Sequence, residues 1–99
     1  MDVNKTHYEG ETIYSLSGKL DTVTAPEFQK ELIPEFDAAK SIIVDFTSIT
    51  FVSSAGLRVL LMGEKTAKVK GASMTLRKVP DDVMEIFKKS GLARIFTIK

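Results

Sequence analysis

Cysteine is absent from the 99-residue sequence, which excludes disulfide bonds and thiolate metal sites. No apolar run approaches the ~20 residues that a membrane-spanning helix needs. The first five residues, MDVNK, lack the basic and then apolar order of a secretory signal. We therefore expect a cytoplasmic protein with no membrane partner.

A strong excess of either charge is also lacking. The chain has 14 Lys and Arg against 13 Asp and Glu, which gives a formal net charge of +1. Surfaces that bind duplex nucleic acid usually need a clear basic excess on one face, so we expect no nucleic-acid partner. The densest basic stretch, Lys65 to Lys70, is interpreted as the solvated face of a helix.

Histidine, the commonest general base, occurs once, as His7 on a predicted strand where it is expected to face solvent. An enzyme would need a pocket that gathers Asp21, Asp45 and the serines near residue 53, and nothing in their spacing demands one. The nucleophile-elbow pattern Gly-x-Ser-x-Gly and the P-loop pattern are both absent. We expect neither catalysis nor a bound cofactor.

Hydrophobic periodicity predicts one α/β domain over residues 1–99, with the element order ββαβ(β)αβαβ. We expect a mixed, mostly parallel sheet of four to six strands, with about three helices covering mainly one face. The predicted strands are Asn4 to Tyr8, Thr12 to Ser17, Ser41 to Phe46, Ile49 to Val52, Ser73 to Arg77 and Leu92 to Ile98.

Local signals indicate where several of these elements begin and end. Thr24 and Glu27 form a capping-box pattern at the start of the first helix. Pro34 is expected to kink that helix or to end it near Leu32, because an interior proline is costly. Thr47-Ser48 is expected to turn the chain between two short strands.

The stretch FVSSAGL, residues 51–57, places two adjacent serines before the second predicted helix. Ser54 is expected to be the N-cap, which is worth about 1 kcal/mol. One serine suffices for a cap, and Gly56 in the first turn costs up to about 1 kcal/mol relative to alanine. A glycine is suitable there if another backbone or molecule approaches closely, or if the turn is unusually tight.

Accepting a phosphate agrees better with this position than attacking a substrate or holding a phosphate. A serine at a helix N-terminus lies where the helix dipole and unpaired N–H groups stabilise negative charge. Arg58, Met62 and Lys65 follow Ser54 along one predicted stripe, which is either a docking strip or an ordinary solvated face. Three leucines are expected on the opposite, core-facing side: Leu57, Leu60 and Leu61.

The order of these features resembles the STAS domain, and more narrowly the stand-alone anti-sigma factor antagonists of bacteria. The resemblance rests on residues 18–21 (GKLD), 42–46 (IIVDF), 51–60 (FVSSAGLRVL) and 87–96 (FKKSGLARIF). It covers nearly the whole chain, and it implies a single STAS domain.

The resemblance also implies a partner-switching role. In such systems the unphosphorylated antagonist binds an anti-sigma factor, which is a serine kinase of the histidine-kinase-like ATPase fold, and so frees the sigma factor. Phosphorylation of one serine inactivates the antagonist, and a metal-dependent serine phosphatase restores it. ATP and metal ions are therefore expected to be bound by the partner proteins.

The family pattern Asp-Ser-Ser/Thr-Gly-Leu places the phosphorylated serine two positions before the glycine, which is Ser54 in this chain. Ser53 occupies the position of the family's acidic residue and is itself a possible minor acceptor. Ala55 leaves no competing hydroxyl after Ser54. The partner-binding residues that the resemblance implies are Asp21, Thr22, Ser53, Ser54, Ala55, Gly56, Arg58 and Met62.

The alternative function is a STAS scaffold or regulatory subunit of a transport or signalling complex that is not phosphorylated. Partner binding by such a module would be insensitive to Ser54→Asp, whereas a phosphorylation switch would lose binding.

Overall fold

Five strands form one mixed sheet in the computed structural model, which describes residues 1–99. They lie in the order β1-β2-β3-β4-β5, with β1 antiparallel to β2 and the other neighbours parallel. The strands are β1 Asp2–Tyr8, β2 Glu11–Leu20, β3 Ser41–Val52, β4 Ser73–Arg77 and β5 Thr97–Ile98. The helices are α1 Ala25–Glu35, α2 Ser54–Lys70 and α3 Asp81–Lys89, and none is long and apolar enough to cross a membrane. The predicted fold class is confirmed.

A tight hairpin joins β1 to β2. Glu9 and Gly10 both have positive φ angles, 49° and 80°. Two successive residues of this kind match the twist of a two-residue hairpin. Glu9 and Gly10 therefore turn the chain from β1 into β2.

β3 is one continuous strand, so the turn expected at Thr47-Ser48 is wrong. Between the pairs Ser15↔Asp45 and Ser17↔Ser48, β3 advances by three residues while β2 advances by two. The extra residue forms a β-bulge, which admits exposed polar side chains without ending the strand. β2 remains paired with β3 as far as Leu20, beyond its predicted end.

Both ends of α1 differ from the sequence expectation. The backbone at Thr24 is already helical and its side chain makes no capping hydrogen bond, so the predicted capping box is wrong. Of the two outcomes expected from Pro34, a kink or an end near Leu32, the end is wrong, because α1 continues through Pro34 to Glu35. Proline at this position removes the partner of the Lys30 carbonyl, and Lys30 is exposed, so water can replace the lost hydrogen bond.

α1 and α2 pack against one face of the sheet. Phe28 of α1 contacts Tyr14 of β2 edge to face, with ring centroids 5.5 Å apart. Gly63 of α2 lies directly against Leu32 of α1 and Met74 of β4. The glycine therefore lets α2 approach both the neighbouring helix and the sheet.

Phe87 anchors α3 in a second aromatic cluster. Its ring centroid lies 6.0 Å from that of Phe46 and 5.3 Å from that of Phe96. The closing edge strand expected from residue 92 onward is shorter than predicted, because a 3₁₀ turn occupies Leu92–Arg94 and β5 contains only Thr97–Ile98. Phe96 lies between these two pieces and is buried in the core.

Small residues contribute half of the buried face of α2. The buried residues are Gly56, Val59, Leu60, Gly63, Glu64 and Ala67. Of the leucines expected to face the core, Leu60 is buried, whereas Leu57 and Leu61 are only half-buried. Gly71 ends the helix with φ 67°, as its sequence position predicts.

Candidate functional site

The two segments of the expected partner surface meet at the carboxyl ends of β2 and β3. Leu20 pairs with Val52, and the Leu20 carbonyl accepts a hydrogen bond from the N–H of Ser53 at 2.9 Å. Asp21 directly follows Leu20 in the chain. The loop after β2 therefore lies beside the two serines that follow β3.

Ser53, and not Ser54, is the N-cap of α2. Its backbone is extended, and its hydroxyl accepts a hydrogen bond from the N–H of Gly56 at 3.3 Å. Its carbonyl accepts the N–H of Leu57 at 2.9 Å. The expected cap is wrong by one residue, because the bond between Ser53 and Leu20 fixes the point at which the chain leaves the sheet.

Ser54 is the first residue of α2, and its side chain is exposed. Because Ser53 provides the cap, the Ser54 hydroxyl is not needed to hold the helix. The N–H groups of Ser54 and Ala55 lie in the first turn, before the intrahelical hydrogen bonds begin. That turn contains no acidic residue, so a negative group at Ser54 would be stabilised by the positive end of the helix dipole.

Gly56 allows a close approach within the chain itself. A Cβ atom at this position would lie 2.6 Å from the carbonyl oxygen of Leu20 and 3.0 Å from Cγ1 of Val52. Gly56 is also buried. Of the explanations that the sequence leaves open, the structure supports the approach of another backbone, that of β2.

The loop after β2 is held by the side chains of Asp21 and Thr24. The Asp21 carboxylate accepts the N–H groups of Val23 and Thr24 at 3.0 and 3.1 Å. Thr24 Oγ1 accepts the N–H of Asp21 and donates to the Lys19 carbonyl. The backbone hydrogen bond from Thr24, supported by the one from Val23, lowers the pKa of Asp21. Asp21 therefore shapes this loop, and exposed Thr22 lies at its surface.

Along the outer side of α2, the stripe that begins at Ser54 has three polar residues and one apolar residue. Arg58 and Lys65 are exposed and Met62 is half-buried. These positions are spaced by three or four residues, so their side chains lie on one face of the helix. The stripe predicted from the sequence is therefore exposed at its polar positions and partly covered at Met62.

The two other groups considered for chemistry lie away from the serines. His7 Nδ1 is 2.7 Å from Thr12 Oγ1, near the start of β2, about 26 Å along the strand from Leu20. Asp45 lies midway along β3, where it bonds to Thr47 and Arg77. The site therefore presents the Ser54 hydroxyl without a histidine beside it.

Two exposed residues near the serines, Val23 and Phe51, are not among the predicted partner-binding residues. Val23 is 77% exposed in the loop after β2, and Phe51 is 44% exposed near the end of β3. Lys19 pairs with Phe51 and is also exposed. Alternation along β3 was the available signal, because Phe51 precedes the inward-facing Val52 and must point to the other face.

Known proteins match this chain over almost its full length. The family model for the STAS domain matches residues 2–99. The anti-sigma F factor antagonist of Paenibacillus polymyxa is 27% identical over 100 residues, which cover 99% of this chain and 86% of that protein. The anti-sigma-B factor antagonist of Bacillus subtilis is 22% identical over 98 residues, covering 99% of this chain and 90% of that protein.

Solved structures share the fold. The phosphorylated form of SpoIIAA, described as a cell fate determinant of Bacillus, superposes with a TM-score of 0.79 at 17% identity. The superposition covers 99% of this chain and 91% of SpoIIAA. The five-stranded sheet with its helices and the family match over residues 2–99 agree, and the chain belongs to the STAS domain family.

Proposed function

We propose that this protein is an anti-sigma factor antagonist whose binding is switched off by phosphorylation of Ser54. The unphosphorylated form binds an anti-sigma factor that is also a serine kinase of the histidine-kinase-like ATPase fold, and this binding releases the sigma factor. A metal-dependent serine phosphatase restores the antagonist. The names of the two sequence relatives support the antagonist role.

The observation that carries the proposal is that the two serines have different structural roles. Ser53 holds the N-terminus of α2, and the exposed Ser54 is left free at the first helical position. A phosphoryl group on Ser54 would leave the cap in place, so the fold would persist while the surface changes. A phosphorylated form is also known for SpoIIAA, which shares the fold.

The chemical step is a phosphoryl transfer from ATP held by the kinase. A bond forms between Ser54 Oγ and the γ-phosphorus, and the bond from that phosphorus to the bridging oxygen of ADP breaks. The serine proton passes to a base of the kinase, and ADP leaves. Because the site has no histidine of its own, the kinase supplies the base as well as the nucleotide and its metal ion.

Phosphorylation changes the charge of the contact surface strongly. It adds about 1.5 to 2 negative charges, whereas the whole chain has a formal net charge of only +1. The kinase surface that closes over Thr22, Ser54, Arg58 and Met62 would then meet a bulky dianion. Loss of contacts worth about 3 kcal/mol weakens binding by roughly two decades.

The test uses the histidine-kinase-like serine kinases encoded in the source genome, each purified and mixed with this protein and ATP. We expect one of them to add a single phosphoryl group, detected by intact mass, to the wild type and to Ser53→Ala. Ser54→Ala should remain unmodified. A phosphoryl group gained by Ser54→Ala would overturn the assignment of the acceptor.

Binding of the same kinase distinguishes the switch from the scaffold alternative. Ser54→Asp should lose at least tenfold in affinity, while its circular dichroism spectrum and unfolding midpoint stay close to those of the wild type. Unchanged affinity of Ser54→Asp would favour a scaffold that does not respond to phosphorylation.

A further inference from the structure

Phe51 and Lys19 lie beside the serines but on the other face of the sheet. Leu20 and Val52 turn their side chains toward Gly56 of α2. Successive residues of a strand point to opposite faces, so Lys19 and Phe51 point away from α2. The two residues are paired across β2 and β3, and both are exposed.

We infer that the kinase contact extends around the end of the sheet onto Phe51 and Lys19, an inference that rests on the proposed function. The surface formed by Lys19, Val23, Phe51, Ser54 and Arg58 is called the end surface. Val23 belongs to the loop after β2, and Phe51 lies near the end of β3. The end surface therefore contains two exposed apolar side chains.

Phe51 is close to Ser54 along the chain, although its side chain lies on the other face of the sheet. Phe51 precedes Ser54 by three residues, which span at most about 10 Å of extended chain. A standard interface buries about 800 Å² on each partner, equivalent to a disc of roughly 16 Å radius. A partner that covers such an area around Ser54 and reaches over the end of the sheet also contacts Phe51 and the paired Lys19.

The charges of the end surface indicate what the partner presents. Lys19 and Arg58 are both exposed cations. The one carboxylate in the loop, that of Asp21, is already occupied by the N–H groups of Val23 and Thr24. The complementary kinase surface has an apolar socket for the Phe51 ring, with a carboxylate close enough to pair with Lys19. Aromatic anchors in such sockets commonly dominate binding energy.

Other exposed apolar residues provide matched controls. Val69 is 84% exposed at the far end of α2, about 22 Å from Ser54 along the helix axis. It lies outside the 16 Å disc. Val69→Ala therefore removes an exposed apolar side chain without changing the end surface.

The test uses the kinase that phosphorylates the wild type. It measures the affinity of this kinase for the wild type and for three variants. Phe51→Ala should bind at least about tenfold more weakly, and Val69→Ala should bind within twofold of the wild type. Lys19→Ala should bind a few-fold more weakly and show a reduced dependence on salt. Wild-type affinity in Phe51→Ala would overturn the inference and leave the proposed function intact.

A second measurement leaves the Phe51 ring in place. The chain has no cysteine, so Lys19→Cys and Val69→Cys each carry a single thiol. Kinase at a concentration that saturates both variants should slow alkylation of the thiol at position 19 by iodoacetamide, and leave the thiol at position 69 unaffected. Equal alkylation of the position 19 thiol with and without kinase would sink the inference.

Two further outcomes have definite meanings. If no kinase of the panel binds the wild type, the proposed function fails and this inference fails with it. If the wild type is a dimer by sedimentation and Phe51→Ala is a monomer, the apolar face is covered by a second copy, and the inference is wrong even where Ser54 is phosphorylated.

Discussion

The carbonyl oxygen of Leu20 fixes the start of α2 from two directions. It accepts the N–H of Ser53 at 2.9 Å, and it would lie 2.6 Å from a Cβ atom at Gly56. The carbonyl cannot move away from Gly56 without weakening its bond to Ser53. The backbone of β2 is therefore locked against the first turn of the helix.

Gly56→Ala should destabilise the protein by about 1 to 3 kcal/mol, the usual cost of overpacking. The loss should appear although alanine is favoured over glycine in a helix by up to about 1 kcal/mol. Urea unfolding followed by circular dichroism measures it.

Gly63→Ala is the control for this prediction. Gly63 is buried in the same helix, but its nearest atoms are Sδ of Met74 at 2.8 Å and Cδ2 of Leu32 at 2.9 Å. These are the ends of flexible side chains, which can shift, so the loss should be smaller than for Gly56→Ala. Equal losses at both glycines would contradict the special role of the Leu20 carbonyl.

Substitution of Ser53 should change the stability of the protein more than substitution of Ser54. Ser53→Ala removes the cap and should cost about 1 kcal/mol, whereas Ser54→Ala should change the unfolding free energy by less than about 0.5 kcal/mol. Ser53→Asp should retain wild-type stability, because a carboxylate also caps well. Urea titrations of the three variants check the order. A larger loss in Ser54→Ala than in Ser53→Ala would show that the cap has been misassigned.

Elements whose signals are local were predicted closely. β4 occupies Ser73–Arg77 as expected, because alternation and the flanking turn residues are both contained in that stretch. Gly10, Gly71 and Gly91 take the positive φ angles that their positions after strands and helices suggest. Such features depend only on neighbouring residues.

Features that depend on pairing with a distant strand were not predicted. Thr47 and Ser48 have the composition of a turn, yet they lie in a bulge that arises only when β3 is paired with β2. The choice between Ser53 and Ser54 as cap likewise depends on the carbonyl of Leu20. The sequence singled out both serines, but it did not assign their separate structural roles.

Asp45 should contribute a pH-dependent part of the stability. Burial raises the pKa of this carboxyl, but hydrogen bonds from Thr47 and Arg77 outweigh burial and lower it from 3.8 to about 2. A carboxyl whose pKa is lower in the folded than in the unfolded state stabilises the folded protein at pH values above the unfolded-state pKa. This contribution, about 2 kcal/mol, should therefore be complete above about pH 4 and be lost as the pH falls through about 2.

Asp45→Asn measures that contribution. At pH 7 the variant should be less stable than the wild type by about 2 kcal/mol, and the difference should narrow as the pH falls below about 4. Asp37→Asn is the control, since Asp37 is exposed and its pair with Lys70 lies at the surface, where such pairs are worth at most about 1 kcal/mol. Unfolding titrations between pH 2 and 7 give both profiles. A gap between wild type and Asp45→Asn that is constant across this range would contradict the proposed titration.

Arg58 should stabilise the phosphorylated state of Ser54 directly. The two residues are four positions apart on α2 and both are exposed, so a phosphate on Ser54 can pair with the guanidinium. A pair of this kind is worth about 0.2 to 0.5 kcal/mol, which corresponds to about 0.2 to 0.4 pH units in the second ionisation of the phosphate. Protein made with phosphoserine at position 54 can be titrated by ³¹P NMR, without any kinase. The ionisation should occur at a higher pH in Arg58→Gln than in the wild type, because the cation favours the dianion.

Lys65→Gln removes the same charge about 17 Å along the helix and should leave the titration unchanged. Equal changes in the two variants would mean that only the overall charge of the protein matters.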